Sequence, residues 1–357
     1  MSTSIKNISV AIDGIKSSGF CIELDGARWR LDNFMLNQSL LSPNTLSFSL
    51  HKEPDERINE VSFNVCGKII GKELLISLET ESIEKESLKA DTNSVADIEF
   101  AGVIIAASGS RNHSEFSVSV EACSWDALLN DNPTCKSFEN LTLNDIVNDV
   151  VEDYSEHLKT DVDARFTDTI PYCVQYNESN YQFLRRLARR YGEWLYNDGK
   201  KMVFGNLPKG ESVKLAYPSQ DVPSYNVDLK MRHVAFNHVA SSYNSYDANE
   251  KEGIEEMQRE YNTLSEQVFQ ASQSCFVKPT LQNLHSGGFA DTDGRETLLK
   301  VSTKTQARGE KASMLTYSGT TYCSKLKIGS KLVIVDNYMS DASALEKSNV
   351  EQDEMLI

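Results

Sequence analysis

The chain is poor in the residues that mark several specialised classes of protein. Its 357 residues include only 18 glycines and 8 prolines, which argues against a collagenous or low-complexity region. The seven cysteines contain no C-x-x-C pair, and their number is odd. This pattern predicts free, mostly buried thiols in a reducing cytoplasm rather than a disulfide framework.

Long apolar segments are also missing. The longest apolar run lies near residues 102–107 and is far too short for a bilayer span. Residues 1–11 lack the basic and then apolar pattern of a signal peptide. We therefore expect no membrane insertion of this region and no export by a conventional signal peptide. The formal net charge of −16 disfavours nucleic acids and anionic membrane surfaces as partners.

The common catalytic and metal-binding motifs are absent from the sequence. It contains no H-E-x-x-H, no G-x-S-x-G and no Walker A motif. The stretch at 67–73 fails as a phosphate loop, because three residues instead of four separate its glycines. His233 and His238 are five positions apart, a spacing that neither a helix face nor a strand face brings together. We therefore predict that the chain is not an enzyme and has no catalytic, cofactor-binding or metal-binding residues and no cofactor.

Alternation of apolar and polar residues marks roughly the first 125 residues as short strands. Residues 46–50 and 116–122 place an apolar side chain at every second position, so one face of each strand is expected in a core. Residues 63–78 are interpreted as two more strands, broken at Gly67 and Gly71. Several short strands at this spacing indicate an antiparallel barrel or sandwich.

The spacing of the apolar residues changes from that of a strand to that of a helix after residue 141. Thr142 is a candidate N-cap, with Asp145 three residues later, and apolar residues follow at helical spacing as far as Tyr154. A second helix is predicted at 178–191. Its candidate cap is Asn177 or Ser179. Its predicted buried stripe consists of Tyr181, Leu184, Leu187, Ala188 and Tyr191, and Gly192 stands where a left-handed end is needed.

A hairpin is predicted directly after the second helix. Residues 194–196 and 202–204 are apolar and aromatic, and the turn sequence Asn197-Asp198-Gly199 lies between them. Trp194 and Tyr196 are interpreted as residues that pack the hairpin rather than as a stacking platform. The predictions for 137–204 together describe a small α/β unit between strands.

Four arginines lie opposite the apolar stripe of the second helix: Arg185, Arg186, Arg189 and Arg190. Two interpretations are open, an anion-binding or partner-docking patch and a solvated helix face paired with local acids. The acidity of the chain favours the second.

The remaining sequence alternates between strand and helix patterns. We predict strands at 225–231, 233–246, 314–317 and 331–335, helices at 264–272 and 291–312, a charged loop or solvated helix at 249–260, and the start of a strand at 355–357.

Four segments carry a family resemblance. They are FMLNQSLLSPNTLSFSL at 34–50, CGKIIGKELLISLET at 66–80 followed by EFAGVIIAAS at 99–108, EACSWDALLNDNPTCKSFENLTLNDIV at 121–147, and IPYCVQYNESNYQFLRRLARRYGEWLYNDGKKMVFG at 170–205. Together they resemble the N-terminal hub region of VgrG spike proteins of type VI secretion systems, in the variety carried by Bacteroidota. The fourth segment is the most specific of them.

The resemblance implies a mainly β fold with α+β inserts, built from two phage-hub-like β-barrels that are each interrupted by an inserted helical segment. Mapped onto this chain, it places the first barrel at 1–136 and 205–224, an α/β insert at 137–204, the second barrel at 225–285 and 314–336, a helical insert at 286–313, and a linker with the start of a truncated OB-fold at 337–357.

The resemblance also implies a structural function. The hub would be a homotrimer that caps the hexameric Hcp tube, contacts baseplate proteins, and carries a needle, a PAAR tip protein and effectors into target cells. Assembly would occur in the cytoplasm, followed by secretion or injection. The alternative is a baseplate hub or tail-spike protein of a contractile phage or phage-like injection particle. A carbohydrate- or peptide-processing enzyme would require a His/Asp/Ser or metal cluster that the sequence does not offer.

Overall fold

The structure is a computed structural model, and it describes most of the first 205 residues and parts of the rest. The described residues are 3–52, 63–82, 98–112, 115–205, 213–217, 222–232, 237–244, 249–256, 263–276, 280–283, 313–321, 323, 326–329, 331–336 and 355–356.

The first part of the chain forms an eight-stranded antiparallel sheet that curves into a nearly closed barrel. Its strands pair in the order β2-β1-β6-β7-β8-β5-β4-β3. The strands are β1 (Thr3–Ile12), β2 (Ile15–Lys16), β3 (Cys21–Leu24), β4 (Ala27–Asn37), β5 (Thr45–Lys52), β6 (Glu73–Ser82), β7 (Ile98–Asn112) and β8 (Glu115–Ser124). The two ends of the sheet meet where Ser18 and Cys21 exchange backbone hydrogen bonds of 2.7 and 3.2 Å. Closure in this way leaves few unpaired edges.

The alternating residues predicted from the sequence fill the barrel. Leu46, Phe48 and Leu50 of β5 are buried, which confirms the predicted alternation. On β8 the same holds for Phe116, Val118, Val120 and Ala122. Trp29 is fully buried among them, and its indole Nε1 donates to the carbonyl oxygen of Leu24 at 3.1 Å.

The interpretation of residues 63–78 as two strands is wrong in its first half. Residues Asn64–Ile69 form a short helix, α1, and only β6 follows as a strand. The buried residues of α1 are Val65, Cys66 and Ile69. Their spacing of one, then three residues is that of one helix face, and it places all three against the barrel core.

An α/β unit (residues 125–205) follows the barrel. It begins with a 3-10 turn at Trp125–Asn130, and a second 3-10 turn covers Glu152–Tyr154. Its elements are β9 (Thr134–Leu141), α2 (Leu143–Val151), β10 (Thr160–Asp163), β11 (Ile170–Glu178), α3 (Asn180–Tyr191), β12 (Trp194–Asn197) and β13 (Met202–Gly205). β9 pairs with β11, and β13 lies between β10 and β12.

Both predicted helices of the α/β unit are confirmed together with their caps. Thr142 Oγ1 accepts from the backbone N–H of Asp145 at 3.2 Å, and the Asp145 carboxylate accepts in return from the N–H of Thr142. Ser179, rather than Asn177, caps α3 in the same reciprocal way with Gln182. The predicted stripe of α3 is buried, and Gly192 ends the helix in the left-handed region with φ +74°.

The predicted hairpin is also present. β12 and β13 pair antiparallel, with Trp194 opposite Gly205 and Asn197 opposite Met202. Tyr196 is 2% exposed, in agreement with a packing role, and Trp194 is half-buried.

The described residues after 205 lie mostly in three small sheets. Their strands are β14 (Val213–Tyr217), β15 (Ser224–Leu229), β16 (Asn237–Asn244), β17 (Asn249–Glu256), β18 (Thr280–Asn283), β19 (Leu315–Thr320), β20 (Lys331–Asp336) and β21 (Met355–Leu356). The sheet orders are β14-β20-β21, β15-β19 and β17-β16-β18. The predicted helix near 264–272 is confirmed as α4 (Thr263–Cys275), whereas the helix predicted at 291–312 lies outside the described residues.

Two strands of this part differ from expectation. Residues 249–256 were expected to form a loop or a solvated helix, but they pair with β16 from Asn237↔Glu256 to Asn244↔Asn249. β14 pairs in parallel with β20, which joins a strand from the range that the resemblance gives to the first barrel to one from the range of the second. The second barrel and the bounds of the domains and inserts stay predictions.

Candidate functional site

The sequence predicts no catalytic or metal-binding residue, and the histidines and cysteines are the side chains most able to contradict this. His157 stacks on Trp125 with ring centroids 4.7 Å apart, while His113, His233 and His285 lie outside the described residues. All seven cysteines are free, but only Cys66 and Cys173 are buried, so the prediction of mostly buried thiols is wrong. Within the described ranges, no three His, Cys, Asp or Glu side chains are grouped for a metal ion.

The arginines of α3 have local roles. Arg186 pairs with Glu178 at 2.6 Å, and it also donates to the carbonyl oxygen of Val174 at 2.6 Å. Burial lowers the pKa of Arg186, but the hydrogen bond and the charge of Glu178 outweigh this, so the pKa is raised overall. Arg190 lies over the ring of Tyr191, 5.8 Å from its centroid. The interpretation as a face paired with local acids is confirmed for Arg186.

A buried polar cluster connects the barrel to the α/β unit, and we call it the joint. Its members are Asn44, Ser124, Asp126 and Asn197, each at most 1% exposed. They come from the loop before β5, the end of β8, the 3-10 turn and the end of β12. Residues far apart in sequence therefore meet here without contact with solvent.

Hydrogen bonds join these residues in a chain. The Asn44 N–H donates to Ser124 Oγ at 2.8 Å, and the Ser124 N–H donates to the Asn44 carbonyl oxygen at 3.0 Å. The Asn44 side-chain amide donates to the carbonyl oxygen of Asn197 at 3.0 Å. The Asn197 side-chain amide donates to Asp126 Oδ1 at 2.8 Å. Each bond spans the boundary between two elements that are distant in sequence.

The hairpin turn adds backbone contacts to the joint. The N–H of Ala101 on β7 donates to the carbonyl oxygen of Gly199 at 2.7 Å, and Lys200 pairs with Glu99 at 2.5 Å. Gly199 has φ +107°, and a Cβ at this position would collide with the carbonyl oxygen of Glu99. Val103 of β7 points out of the barrel and is buried in the core of the α/β unit. The joint is thus a polar cluster beside an apolar contact.

Three polar atoms of this region have no hydrogen-bond partner within the described part of the chain: Asn44 Oδ1, Asp126 Oδ2 and the hydroxyl oxygen of Tyr181. Burial raises the pKa of Asp126, against hydrogen bonds from Ser124 and Asn197 that lower it. Burial likewise raises the pKa of Tyr181, and the charge of Asp126 adds to this effect. Perturbed groups of this kind are often catalytic, but the joint is sealed from solvent and offers no space for a substrate. It is suited to holding two units together.

The joint was missed by sequence reasoning. Asn197 is predicted in a turn, where asparagine is common and usually exposed. The available signal was Asp126, a charged residue between Trp125 and an apolar stretch in a segment that otherwise packs a core.

Two surface features complete the inventory. Tyr172 and Tyr176 of β11 are 49% and 78% exposed, and they share the outer face of the β9–β11 sheet with Glu139 and Cys135. An open cavity of about 470 Å³ lies beside α2 and is lined by Asn148, Asp149, Val151, Glu152, Ser155, Leu158 and Thr160. Its Asp149 carboxylate is already paired with Lys136 at 2.6 Å. The lining contains no histidine.

No helix of the described ranges is both long enough and apolar enough to cross a bilayer.

Solved structures with the same fold are tail proteins. The tail protein from Neisseria meningitidis MC58 aligns with a TM-score of 0.58 and 10% identity over 93% of this chain and 88% of that one. The 43 kDa tail protein of prophage MuSo2 from Shewanella oneidensis aligns with a TM-score of 0.56 and 13% identity over 95% and 90%. Identities this low show a common fold and nothing more.

A third structure is more distant. The Escherichia coli c3393 protein, a component of the type VI secretion system with similarity to the T4 tail proteins gp27 and gp5, aligns with a TM-score of 0.40 and 15% identity over 65% of this chain and 56% of that one. The fold assignment therefore rests on the two tail proteins. No curated protein matches the sequence.

The sequence itself matches a family description over most of its length. The description "phage tail baseplate hub (GPD)" covers residues 61–343, a range that includes α1, the barrel strands β6–β8, the whole α/β unit and the strands β14–β20. Family members are structural hub domains. The chain belongs to the phage tail baseplate hub family.

Proposed function

We propose that this chain is the structural hub of a VgrG spike in a type VI secretion system. Three copies surround one axis and cap the hexameric Hcp tube within the baseplate, and the spike carries its needle, PAAR tip and effectors into target cells. The family match supports the hub role, and the similarity of 170–205 to VgrG proteins supports this kind of machine.

The observation that carries the proposal is the nearly closed barrel with a docked α/β unit. Eight strands and α1 enclose one apolar core, and the α/β unit encloses a second. If each chain contributes two such barrels, three chains present six, which meets a hexameric tube without a symmetry mismatch.

The sealed joint supports a mechanical rather than a catalytic role. Its polar groups hold the α/β unit on the barrel. The proposal includes no cofactor, no nucleic acid and no membrane insertion of this region. The hub assembles in the cytoplasm and leaves the cell by contraction of the machine.

The test is the oligomeric state of the chain extended through its needle. Mass photometry should give particles of three copies, and electron microscopy of the assembled machine should place them at the end of the tube. The 40.0 kDa hub alone serves as the control, and it is expected to be monomeric in dilute solution because the needle locks the trimer. A monomer with a folded needle would refute the trimeric hub.

A second candidate is the hub of a contractile phage or a phage-like injection particle. Both structures with the same fold are tail proteins by name, and one of them is a prophage protein, which favours this candidate. Neighbouring genes separate the two candidates. Sheath, tube and ATPase genes without capsid genes support the secretion system, whereas capsid genes support the phage.

A further inference from the structure

We propose that the carboxyl group of Asp126 is protonated in the native protein and that the joint between the barrel and the α/β unit weakens when this proton is lost. The inference is independent of the proposed function. It concerns a buried acid for which the assembly of the hub has no evident use.

The position of Asp126 makes an ionised carboxylate costly. The residue is 0% exposed, and no ion pair connects it to a lysine or arginine within the described ranges. Oδ1 accepts from the Asn197 amide at 2.8 Å, but Oδ2 has no hydrogen-bond partner among the residues that the structure covers. A buried charge whose side-chain donors, the Asn197 amide and the Ser124 hydroxyl, are both neutral and which has no counter-ion is much less stable than a buried neutral acid.

The groups that face Asp126 do not supply a compensating charge. The groups that hydrogen-bond to it are the neutral Asn197 amide of β12 and the neutral Ser124 hydroxyl at the end of β8. The titratable neighbours are Cys123 at the end of β8 and Tyr181 on α3, and burial raises the pKa of both. Both neighbours are therefore neutral at pH 7. The positive charge of Arg185 lowers the pKa of Tyr181.

The direction of the pH effect follows from this arrangement. Burial raises the pKa of Asp126 in the folded protein, so the folded state holds this proton at a higher pH than the unfolded chain does. The stability that comes from the bound proton is complete below the ordinary aspartate pKa of about 3.9, and it is lost as the pH rises through the folded value. Deprotonation places a negative charge between the barrel and the α/β unit, so the joint should open before either unit unfolds.

The experiment compares the full chain with Asp126→Asn, which keeps the shape and removes the proton equilibrium. Urea unfolding is measured across the acidic, neutral and mildly alkaline range. As the pH rises, the unfolding equilibrium constant of the wild type should increase relative to that of the variant. The increase should be up to about tenfold per pH unit between the ordinary aspartate pKa and the raised pKa of folded Asp126. The protection factor of the Ala101 amide, which bonds to Gly199 across the joint, should fall with rising pH in the wild type but not in Asp126→Asn. The protection factor is the quantity to compare, because base catalysis accelerates exchange at every amide in both proteins.

The exposed Asp168→Asn is the matched control, and its pH profile should follow that of the wild type. Parallel profiles for wild type and Asp126→Asn would overturn the proposal. If Asp126→Asn does not fold, carbon NMR of the wild type labelled at its aspartate carboxyl groups decides. One signal should remain at the protonated position at neutral pH, and a spectrum in which every aspartate is ionised would overturn the proposal equally.

Discussion

At the residue scale, two glycines show how backbone geometry decides the effect of one methyl group. Gly192 ends α3 with φ +74°, and its N–H donates to the carbonyl oxygen of Ala188. Gly67 lies inside α1, has no positive φ, and has no atom within 4 Å of the place where a Cβ would stand. The same substitution should therefore have opposite effects at the two positions.

Gly192→Ala should lower the free energy of unfolding by about 1–2 kcal/mol, because an L side chain is strained in the left-handed region. Gly67→Ala should raise it by about 0.5–1 kcal/mol, because alanine loses less conformational freedom in a helix. Urea unfolding of both variants measures the difference. Equal effects of the two substitutions would mean that the left-handed end of α3 is not maintained.

The joint provides a second prediction at this scale. In Gly199→Ala, the new Cβ meets the carbonyl oxygen of Glu99, and the φ of +107° is also unfavourable for alanine. We expect faster hydrogen exchange at Ala101, whose N–H bonds to Gly199, before any change at amides in the barrel core. Uniform acceleration across the protein would show global destabilisation instead of a weakened joint.

At the element scale, α3 organises the α/β unit. It is held by a reciprocal cap at Ser179, and its apolar face lies in the larger of the two cores. Phe183 stacks on Phe138 of β9 with ring centroids 5.6 Å apart, and Tyr191 contacts Phe166 at 4.6 Å. The helix thus connects the β9–β11 sheet to the rest of the unit.

Leu184 is the position at which this packing is best tested. It is 0% exposed, so Leu184→Ala should cost roughly 2–5 kcal/mol through lost burial and an unfilled cavity. The exposed Arg189→Ala on the same helix is the matched control and should change stability by less than about 0.5 kcal/mol. Thermal melting gives the comparison, and an unchanged melting temperature for Leu184→Ala would contradict the packing.

At the scale of the whole molecule, the net negative charge of each chain would make copies repel one another on assembly. Three chains would carry 3 × (−16) = −48 formal charges, so contacts between copies need few acids or a matching number of basic groups. The described ion pairs, such as those of Asp149 with Lys136 and Glu178 with Arg186, neutralise charge within one chain and leave the surplus on the surface.

The purified protein should contain no stoichiometric transition metal, because the histidines and cysteines of the sequence have no ligand spacing. Elemental analysis of protein purified without chelators is the measurement. One metal ion per chain would contradict the prediction. Loss of structure on adding a chelator would show in addition that the fold depends on that metal.

The sequence by itself determined the elements whose signals are local. The alternation at 46–50, the cap at Thr142 and the left-handed end at Gly192 were predicted, and the cap of α3 was narrowed to Asn177 or Ser179, because each depends on residues within a few positions of one another. The resemblance to a hub family was also carried by such short segments, and the match over 61–343 confirms it.

Only the tertiary structure decided the rest. The charged residues 249–256 form a strand because β16 offers them a ladder, and α1 is helical because its short apolar face meets the barrel core. The hydrogen bonds of the joint link residues 80 and 153 positions apart. A local pattern carries no information about partners at such distances, since the free energy of burying Asp126 and Asn197 depends on which groups the fold brings to them.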